Sequence, residues 1–593
     1  MSFDWFVLPF SIGALILIVV LISRYILWVI KLSRADRRKS WRSVFSFKLF
    51  QAVWEVFNES LLHRKIFRVN ALLGWMHMTF ALGWFLLIVI GSVESKFHKE
   101  KVFNMPYDPI FLRYFEHDVH GFWFAEGFTT IMDTILLLLL VATIMAVSKR
   151  FFKWIYGMKR TTKLHPGDQI ALASLWLIFP MRFIAESFTA GIYGNGGYLT
   201  QTAGDIFATF LPLKSLELGA WWTYSSALCL FFLFLPFSRY MHIPTEVFLI
   251  YLRKAGVKTP DNKLTGFSEF ETYSCSRCGL CIDQCQLSET TGYDDQAVYF
   301  LQKLRRNILQ EESSHNCLLC GKCTNICPVG IDITKIRLLK RTEFAPEMLF
   351  NYRHYENVIH HDERKVDVAY FGGCMTHLTP KIKIAMTGIF RKLNIRYNFV
   401  DENGSICCGR PLKLAGNHMQ ARDLMQENKR IIIATGAKIL VTSCPICYNI
   451  FKNEYKFDKI QVLHHSEYLN LLHKEGALKL TPNEEKMVYH DPCELGRMMN
   501  IYEPPREILE KSGKLIPVQK EKNFADCCGG SLANLPLSED NRRKVSKEAL
   551  TKLLAPSPDI LVTACPLCKK TFSNVSDTPV KDIAEVVYER MIE

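Results

Sequence analysis

The chain has 593 residues, 49% of them hydrophobic and 22% charged, with a net charge of +14; that is room for three or four domains of about 100–200 residues each. Residues 1–270 carry 28 Lys and Arg against 18 Asp and Glu, so most of the positive excess lies there, between long apolar runs, while the remaining 44 and 40 nearly cancel. A nucleic-acid partner needs a basic face that the second half lacks, whereas positive-inside membrane loops explain the excess in the first half.

Five stretches are apolar for long enough to cross ~30 Å of hydrocarbon as helices of ~20 residues. They run from Phe6 to Ile30, Phe67 to Val93, Phe122 to Val147, Gln169 to Ile192 and Leu218 to Tyr240. The first is too long for a signal-peptide core and no small-residue cleavage site follows it. Lys31, Arg34, Arg37, Arg38, Lys39 and Arg42 crowd the loop after the first span, and Lys149, Arg150, Lys153, Lys159, Arg160 and Lys163 the loop after the third. The loops near 94–120 and 193–217 are mixed or slightly acidic. Basic loops stay cytoplasmic, which puts the N-terminus outside and residues 243–593 inside.

A histidine within a span is costly and is a functional candidate by default. His77 lies in the second span and His242 closes the fifth, in Pro236-Phe237-Ser238-Arg239-Tyr240-Met241-His242-Ile243. Neutral imidazoles on two facing helices are what a six-coordinate b-type haem requires; the plainer alternative is a histidine bonded to backbone or resting in the headgroups. At 1.5 Å per residue, His77 is ~15 Å inside its span. The pair then meets only if the fifth helix continues past Tyr240 or the second begins before Phe67.

Five spans and the Pro-Phe-Ser-Arg-x-x-His-Ile string make residues 1–255 resemble the nitrate reductase gamma-subunit family of cytochromes b. The resemblance implies that His77 and His242 ligate the haem nearer the cytoplasm. The family's second haem needs histidines where this chain has Leu87 and Tyr224, so one haem b is expected. His63, His117 and His120 are the alternative, unorthodox ligands, but are expected in loops or at helix ends.

Of the 19 cysteines only Cys229 precedes residue 275, and the other 18 fall in short repeated motifs, which argues for metal binding over disulfides. After a polar linker, residues 256–345 hold Cys275-x2-Cys278-x2-Cys281-x3-Cys285 and then Cys317-x2-Cys320-x2-Cys323-x3-Cys327-Pro328. This is the two-cluster ferredoxin spacing, in which each motif gives three thiolates to one 4Fe–4S cube and its last to the other. Cys275, Cys278, Cys281 and Cys327 are assigned to one cubane, and Cys317, Cys320, Cys323 and Cys285 to the second. The usual Pro after the first motif is replaced by Gln286. Structural zinc, the alternative, usually shows paired Cys-x2-Cys knuckles rather than triplets followed by a fourth cysteine.

The remainder is an internal repeat. Its first unit (366–475) reads Cys374, Cys407-Cys408-Gly409, Cys444-Pro445-Ile446-Cys447; the second (484–593) reads Cys493, Cys527-Cys528-Gly529, Cys565-Pro566-Leu567-Cys568. The gaps are 33 then 36 positions in one copy and 34 then 37 in the other. Val366 to Phe371, Lys438 to Thr442, Lys486 to Tyr489 and Ile560 to Thr563 read as buried strands, and Met419 to Ala434 and Arg542 to Leu554 as helices. Each copy is expected to be a small α/β unit with cysteines at strand ends, where helix N-termini favour thiolates. Glycine after the paired cysteines suggests a sharp turn with close backbone approach.

The doubled Cys-Cys-Gly (CCG) pattern resembles the catalytic subunit of heterodisulfide reductases and bacterial glycerol-3-phosphate and lactate oxidation subunits. That resemblance implies a noncubane 4Fe–4S cluster on all five cysteines of each copy; a cubane or zinc in one copy is the alternative. Relatives often carry Asp-Pro-Cys-His at the second copy's first cysteine, whereas this chain has Asp491-Pro492-Cys493-Glu494.

The expected architecture is therefore an all-α five-helix cytochrome b membrane domain, an α-helical dicluster ferredoxin segment and a duplicated α/β CCG domain. The order resembles the membrane heterodisulfide reductase with its two subunits fused, and fused bacterial proteins linking electron-transferring flavoprotein to menaquinone, in the cytoplasmic membrane of bacteria or archaea. No Gly-x-Gly-x-x-Gly opening a βαβ unit and no Walker loop occurs, so electrons are expected to move singly through metal centres. The leading expectation is transfer from a cytoplasmic flavoprotein or dehydrogenase, through the CCG copies, the cubanes and haem b, to membrane quinone. Arg182 and Glu186 are candidates for the quinone site unless they pair with each other. Alternatives are a quinol-dependent disulfide reductase, with the CCG cysteines catalytic, and a docking subunit of a larger respiratory complex.

Overall fold

The computed structural model describes residues 3–99, 105–118, 120–158, 160, 162–259, 263–344, 366–404, 406–530, 532 and 537–592. Lys159 of the second basic loop and the expected domain bounds at 345 and 593 lie outside them. The chain forms two compact units, one of residues 1–260, 264–283 and 328–331, the other of 261–263, 284–327 and 332–593.

In the first unit five helices are long and apolar enough to cross a membrane: Val7–Ile30, Ala71–His98, Ala125–Phe151, Pro166–Tyr193 and Leu213–Phe237. Between the first two, the chain forms α-helices Arg34–Val44 and Phe47–Val56, a π-helical turn Phe57–Leu61, and the short helix Arg64–Val69. Asn70 is extended, and its side-chain oxygen accepts the Leu73 N–H at 3.0 Å, which caps a new helix starting at Ala71. The second apolar helix thus begins after Phe67, which leaves His77 only about 9 Å along it.

The fifth span ends before the expected Tyr240. Helix Leu213–Phe234 tightens into a 3₁₀ turn at Leu235–Phe237, where Pro236 removes a backbone donor. Ser238 is extended, its hydroxyl accepts the Tyr240 N–H at 3.2 Å, and a fresh helix, His242–Lys254, starts at His242. Neither condition set by the straight-helix geometry is met. A late start of one helix and a break in the other place the two histidines near helix beginnings instead.

Helices Pro166–Tyr193 and Tyr198–Ala208 approach through glycine. A Cβ on Gly204 would lie 2.3 Å from the Ser187 carbonyl oxygen and 2.6 Å from the Gly191 nitrogen. Small residues allow such contact where apolar burial offers no gain over lipid.

The second unit carries two four-stranded parallel sheets. The first comprises β1 (Val368–Phe371), β2 (Tyr397–Phe399), β3 (Ile439–Thr442) and β4 (Gln461–His464) in the order β2-β1-β3-β4. The second comprises β5 (Asn483–His490), β6 (Gly513–Leu515), β7 (Ile560–Thr563) and β8 (Val580–Asp582) in the order β6-β5-β7-β8. The two orders are the same, as a duplication requires. The four strands expected from sequence are the central pair of each sheet, and the expected helices appear as His418–Ala434 and Glu539–Leu554. The edge strands are short, and β2, β4, β6 and β8 carry no apolar run long enough to read. In both sheets the strand order reverses between the central strands, the place where open parallel sheets bind ligands beyond their carboxyl ends.

Replacing Gly204 by Leu forces a side chain into backbone and is expected to cost about 1–3 kcal/mol. The thermal midpoint of the detergent-solubilised protein should fall, whereas Gly219→Leu, where nothing lies within 4 Å, should leave it unchanged.

Candidate metal centres

In the first unit the predicted haem histidines come together. His63, Lys149, Arg239 and His242 all act electrostatically on His77. The His63 and His77 rings lie 5.6 Å apart with planes 15° from parallel. His242 donates from Nδ1 to the Arg239 carbonyl at 2.7 Å, which makes Nε2 the lone-pair nitrogen. His63 sits at a helix start, as expected, in a left-handed conformation (φ 51°), but its place against His77 was not legible, because the break at Asn70 between helix Arg64–Val69 and the helix that carries His77 intervenes. His117 stacks on Tyr193 at 3.7 Å, and exposed His120 pairs with Glu126.

Arg239 also holds the first ferredoxin motif. Its guanidinium donates to the Ser276 carbonyl at 2.8 and 3.1 Å and to the Arg277 carbonyl at 3.0 Å. Its backbone N–H donates to buried Asp168 at 2.7 Å, and Asp168 also pairs with Arg277. Cys278 packs on the apolar cluster of Leu73, Met76, Tyr156 and Leu280, next to His77 in sequence. Burial pushes its thiol up.

The Arg182–Glu186 pair is buried and closed on itself, with 2.9 Å between Arg182 Nε and Glu186 Oε1. Tyr224 hydrogen-bonds Arg182, and Leu87 is buried.

In the second unit Cys285, Cys317, Cys320 and Cys323 act on one another, and burial pushes Cys285 up to about 11 and Cys323 well above the ordinary thiol range. This is the quartet assigned from spacing to one cubane. Of the other predicted quartet, Cys275, Cys278 and Cys281 belong to the first unit and Cys327 to the second.

Each CCG copy gathers its five cysteines beyond its central strands. Cys374 follows β1 and Cys444 follows β3; Cys493 follows β5 and Cys565 follows β7. Cys374 is exposed, whereas Cys408, Cys444 and Cys447 are buried. It lies within electrostatic range of Cys407, Cys408 and Cys444. The Cys407 thiol donates to Cys408 and, with Cys447, holds it well below the usual thiol range. In the second copy Cys527 and then Cys568, whose sulfur is 3.3 Å away, hold Cys528 at about 6, and Cys493 hydrogen-bonds Cys527. Gly409 and Gly529 take φ of 86° and 82°, the turn expected after paired cysteines. Among the described residues no triad of His, Cys, Asp or Glu is preset for a single ion.

Two residues that depart from the motif patterns form the joints of this unit. Gln286, in place of proline, clasps the Cys527 backbone: its oxygen accepts the N–H at 2.7 Å and its amide donates to the carbonyl at 3.3 Å. Arg497 reinforces the joint by donating to the Cys320 carbonyl at 2.7 Å and the Ala525 carbonyl at 2.6 Å, and Cys320 lies in electrostatic range of Cys493 and Cys527. Glu494, in place of histidine, accepts from Arg410 and Asn449 of the first copy.

Residues 368–452 and 487–573 match the model of the cysteine-rich domain CCG, and 271–331 that of the 4Fe-4S dicluster domain. The chain is an iron–sulfur oxidoreductase built from these modules beside five membrane-length apolar helices. It is similar to an EtfAB:quinone oxidoreductase of Syntrophomonas wolfei, 23% identical over 92% of this chain and 91% of that one. It is also similar to one component of the dihydromethanophenazine:CoB–CoM heterodisulfide reductase of Methanosarcina acetivorans, 26% identical over 55% of this chain and 95% of that component. A probable iron–sulfur-binding oxidoreductase, FadF of Bacillus subtilis, is 25% identical over 51% of this chain and 43% of its own.

Gln286→Leu removes both partners of a buried peptide group, a loss of about 1–3 kcal/mol. The temperature at which iron–sulfur absorbance bleaches should fall, while Gln286→Glu, which keeps an acceptor for the Cys527 N–H, should recover part of the loss.

Proposed function

We propose that this chain carries electrons from a soluble flavoprotein to membrane quinone. The observation that carries the reading is the likeness to EtfAB:quinone oxidoreductase over 92% of the chain, from the apolar helices through both CCG copies. The positive-inside pattern supports a cytoplasmic location for residues 243–593, where a reduced flavoprotein meets the CCG copies.

The donor sets fit the groups assigned to them. Buried cysteine clusters with short S–H···S contacts suit iron–sulfur cores, two cubane and two noncubane; converging His77 and His242, the latter with Nδ1 held by a carbonyl, suit haem b. Bound there, these groups supply one-electron carriers. The protein orients them. Gln286 and Arg497 fix Cys527 beside Cys320, Glu494 ties the CCG copies together, and Arg239 binds the Cys275–Cys278 loop to the carbonyl that orients His242. Closure of Glu494 onto Arg410 and Asn449 supports electron relay over disulfide cleavage, because that carboxylate is engaged in joining the copies.

Purified protein mixed anaerobically with reduced electron-transferring flavoprotein and a short-chain menaquinone analogue should form quinol at the expense of flavin. Thiol release from a disulfide with quinol as reductant, and no quinone reduction, would contradict the reading. His77→Ala and His242→Ala should each abolish the pyridine-haemochrome signal and leave acid-labile sulfide, and the cluster iron that matches it, unchanged; haem retained in both variants would remove these ligands.

A further inference from the structure

Arg182 and Glu186 are engaged with each other, so that pair does not supply the quinone site. A different group of buried polar side chains lies by the histidines. The π turn Phe57–Leu61 packs against helices Arg64–Val69, Ala71–Lys99 and His242–Lys254. Such turns cost hydrogen-bond geometry and recur where a helix serves a function. Here the turn buries two polar atoms with no partner, Asn58 Oδ1 and Ser60 Oγ. Asn58 is 8% exposed, and its amide nitrogen is spent on the Trp54 carbonyl at 2.9 Å. A buried orphan acceptor and a buried orphan hydroxyl within one turn call for an explanation.

Glu246 faces the same turn. It is buried on helix His242–Lys254, four residues and one helical turn beyond His242, within electrostatic range of Glu59 and Lys65. Among the described residues no hydrogen bond engages its carboxyl. Lys65 is itself tied to Glu59, whose carboxylate accepts the Lys65 N–H at 3.2 Å. Trp54, Phe57, Ile243, Val247 and Phe248 expose apolar side chains around these elements, a rim that a hydrocarbon-tailed ligand can cross from the bilayer.

We propose that the π turn and helix His242–Lys254 form the quinone headgroup site, with Asn58 and Ser60 as binding residues and Glu246 as proton donor. This rests on the quinone-reducing reading above. The pair of orphans matches a ligand whose oxygens change from acceptors to donors: the Ser60 hydroxyl donates to a quinone carbonyl, and Asn58 Oδ1 accepts from the hydroquinone O–H. In the overall step two electrons, delivered singly and derived from the reduced flavoprotein, and two protons convert both C=O groups to C–OH. Glu246 passes each proton to a carbonyl oxygen and is reloaded from water. Burial raises its carboxyl to about 7, against the lowering effect of Lys65 and Arg253 and with Glu59 adding to the rise, so it holds a proton near neutrality.

The test uses the full chain in detergent with a fluorescent hydroxyquinoline-N-oxide quinone analogue and the flavoprotein assay. Asn58→Leu should weaken analogue binding tenfold or more. Glu246→Gln should shift it less than threefold yet slow quinone reduction at least tenfold, and abolish the decline in rate as pH rises through about 7; Glu246→Asp should restore part of the rate. Iron and haem content are expected to match the parent protein in every variant. Parent-like binding and rate in both Asn58→Leu and Glu246→Gln would overturn the site while leaving the flavoprotein–quinone reading intact. A parent protein that reduces no quinone would instead fell that reading first.

Discussion

Arg239 is the side chain on which the first unit turns. Its carbonyl fixes the His242 ring, its guanidinium holds the carbonyls of Ser276 and Arg277, and its backbone N–H is held by Asp168. A charged donor bonded to several carbonyls is stronger than a neutral one and is costly to leave unpaired when partly buried. One residue thereby sets both the orientation of the His242 ring and the course of a cysteine loop. The break at Pro236 makes this possible, because it ends the membrane-length helix and lets His242 begin another. A continuous helix would carry the histidine around a different face.

The second unit solves the same problem by duplication. Two copies of one four-stranded sheet each place five cysteines beyond the central strands, and glycines with positive φ turn the chain after each cysteine pair. Duplication alone yields two equivalent sites, and the joints make them unequal. The second copy is clasped by Gln286 and Arg497 next to the Cys285–Cys317–Cys320–Cys323 quartet, whereas the first keeps Cys374 at the surface.

Much of this was legible because metal chemistry constrains spacing more tightly than folding does. The ferredoxin triplets, both CCG signatures and the five apolar spans can be read residue by residue, and the central strands stand out as short β-branched runs. What was hidden depends on geometry that hydropathy does not carry. The edge strands are too short to show a period. The helix start at Asn70 depends on one side-chain cap, and it overturns the depth assigned to His77 from a straight span. His63 meets His77 across the break at Asn70, which hydropathy does not announce. Gln286 and Glu494 were visible only as departures from a motif, and their role required seeing which backbone and side chains they meet.

The proposed electron relay requires thiolates and imidazoles to hold iron in two different chemical forms within one polypeptide. Quantifying iron, acid-labile sulfide and haem in anaerobically purified protein tests that most directly. The predicted result is about sixteen cluster irons with matching sulfide and about one haem b per chain, from four four-iron groups and one porphyrin. Zinc in place of cluster iron, or a preparation with neither sulfide nor haem, would contradict it.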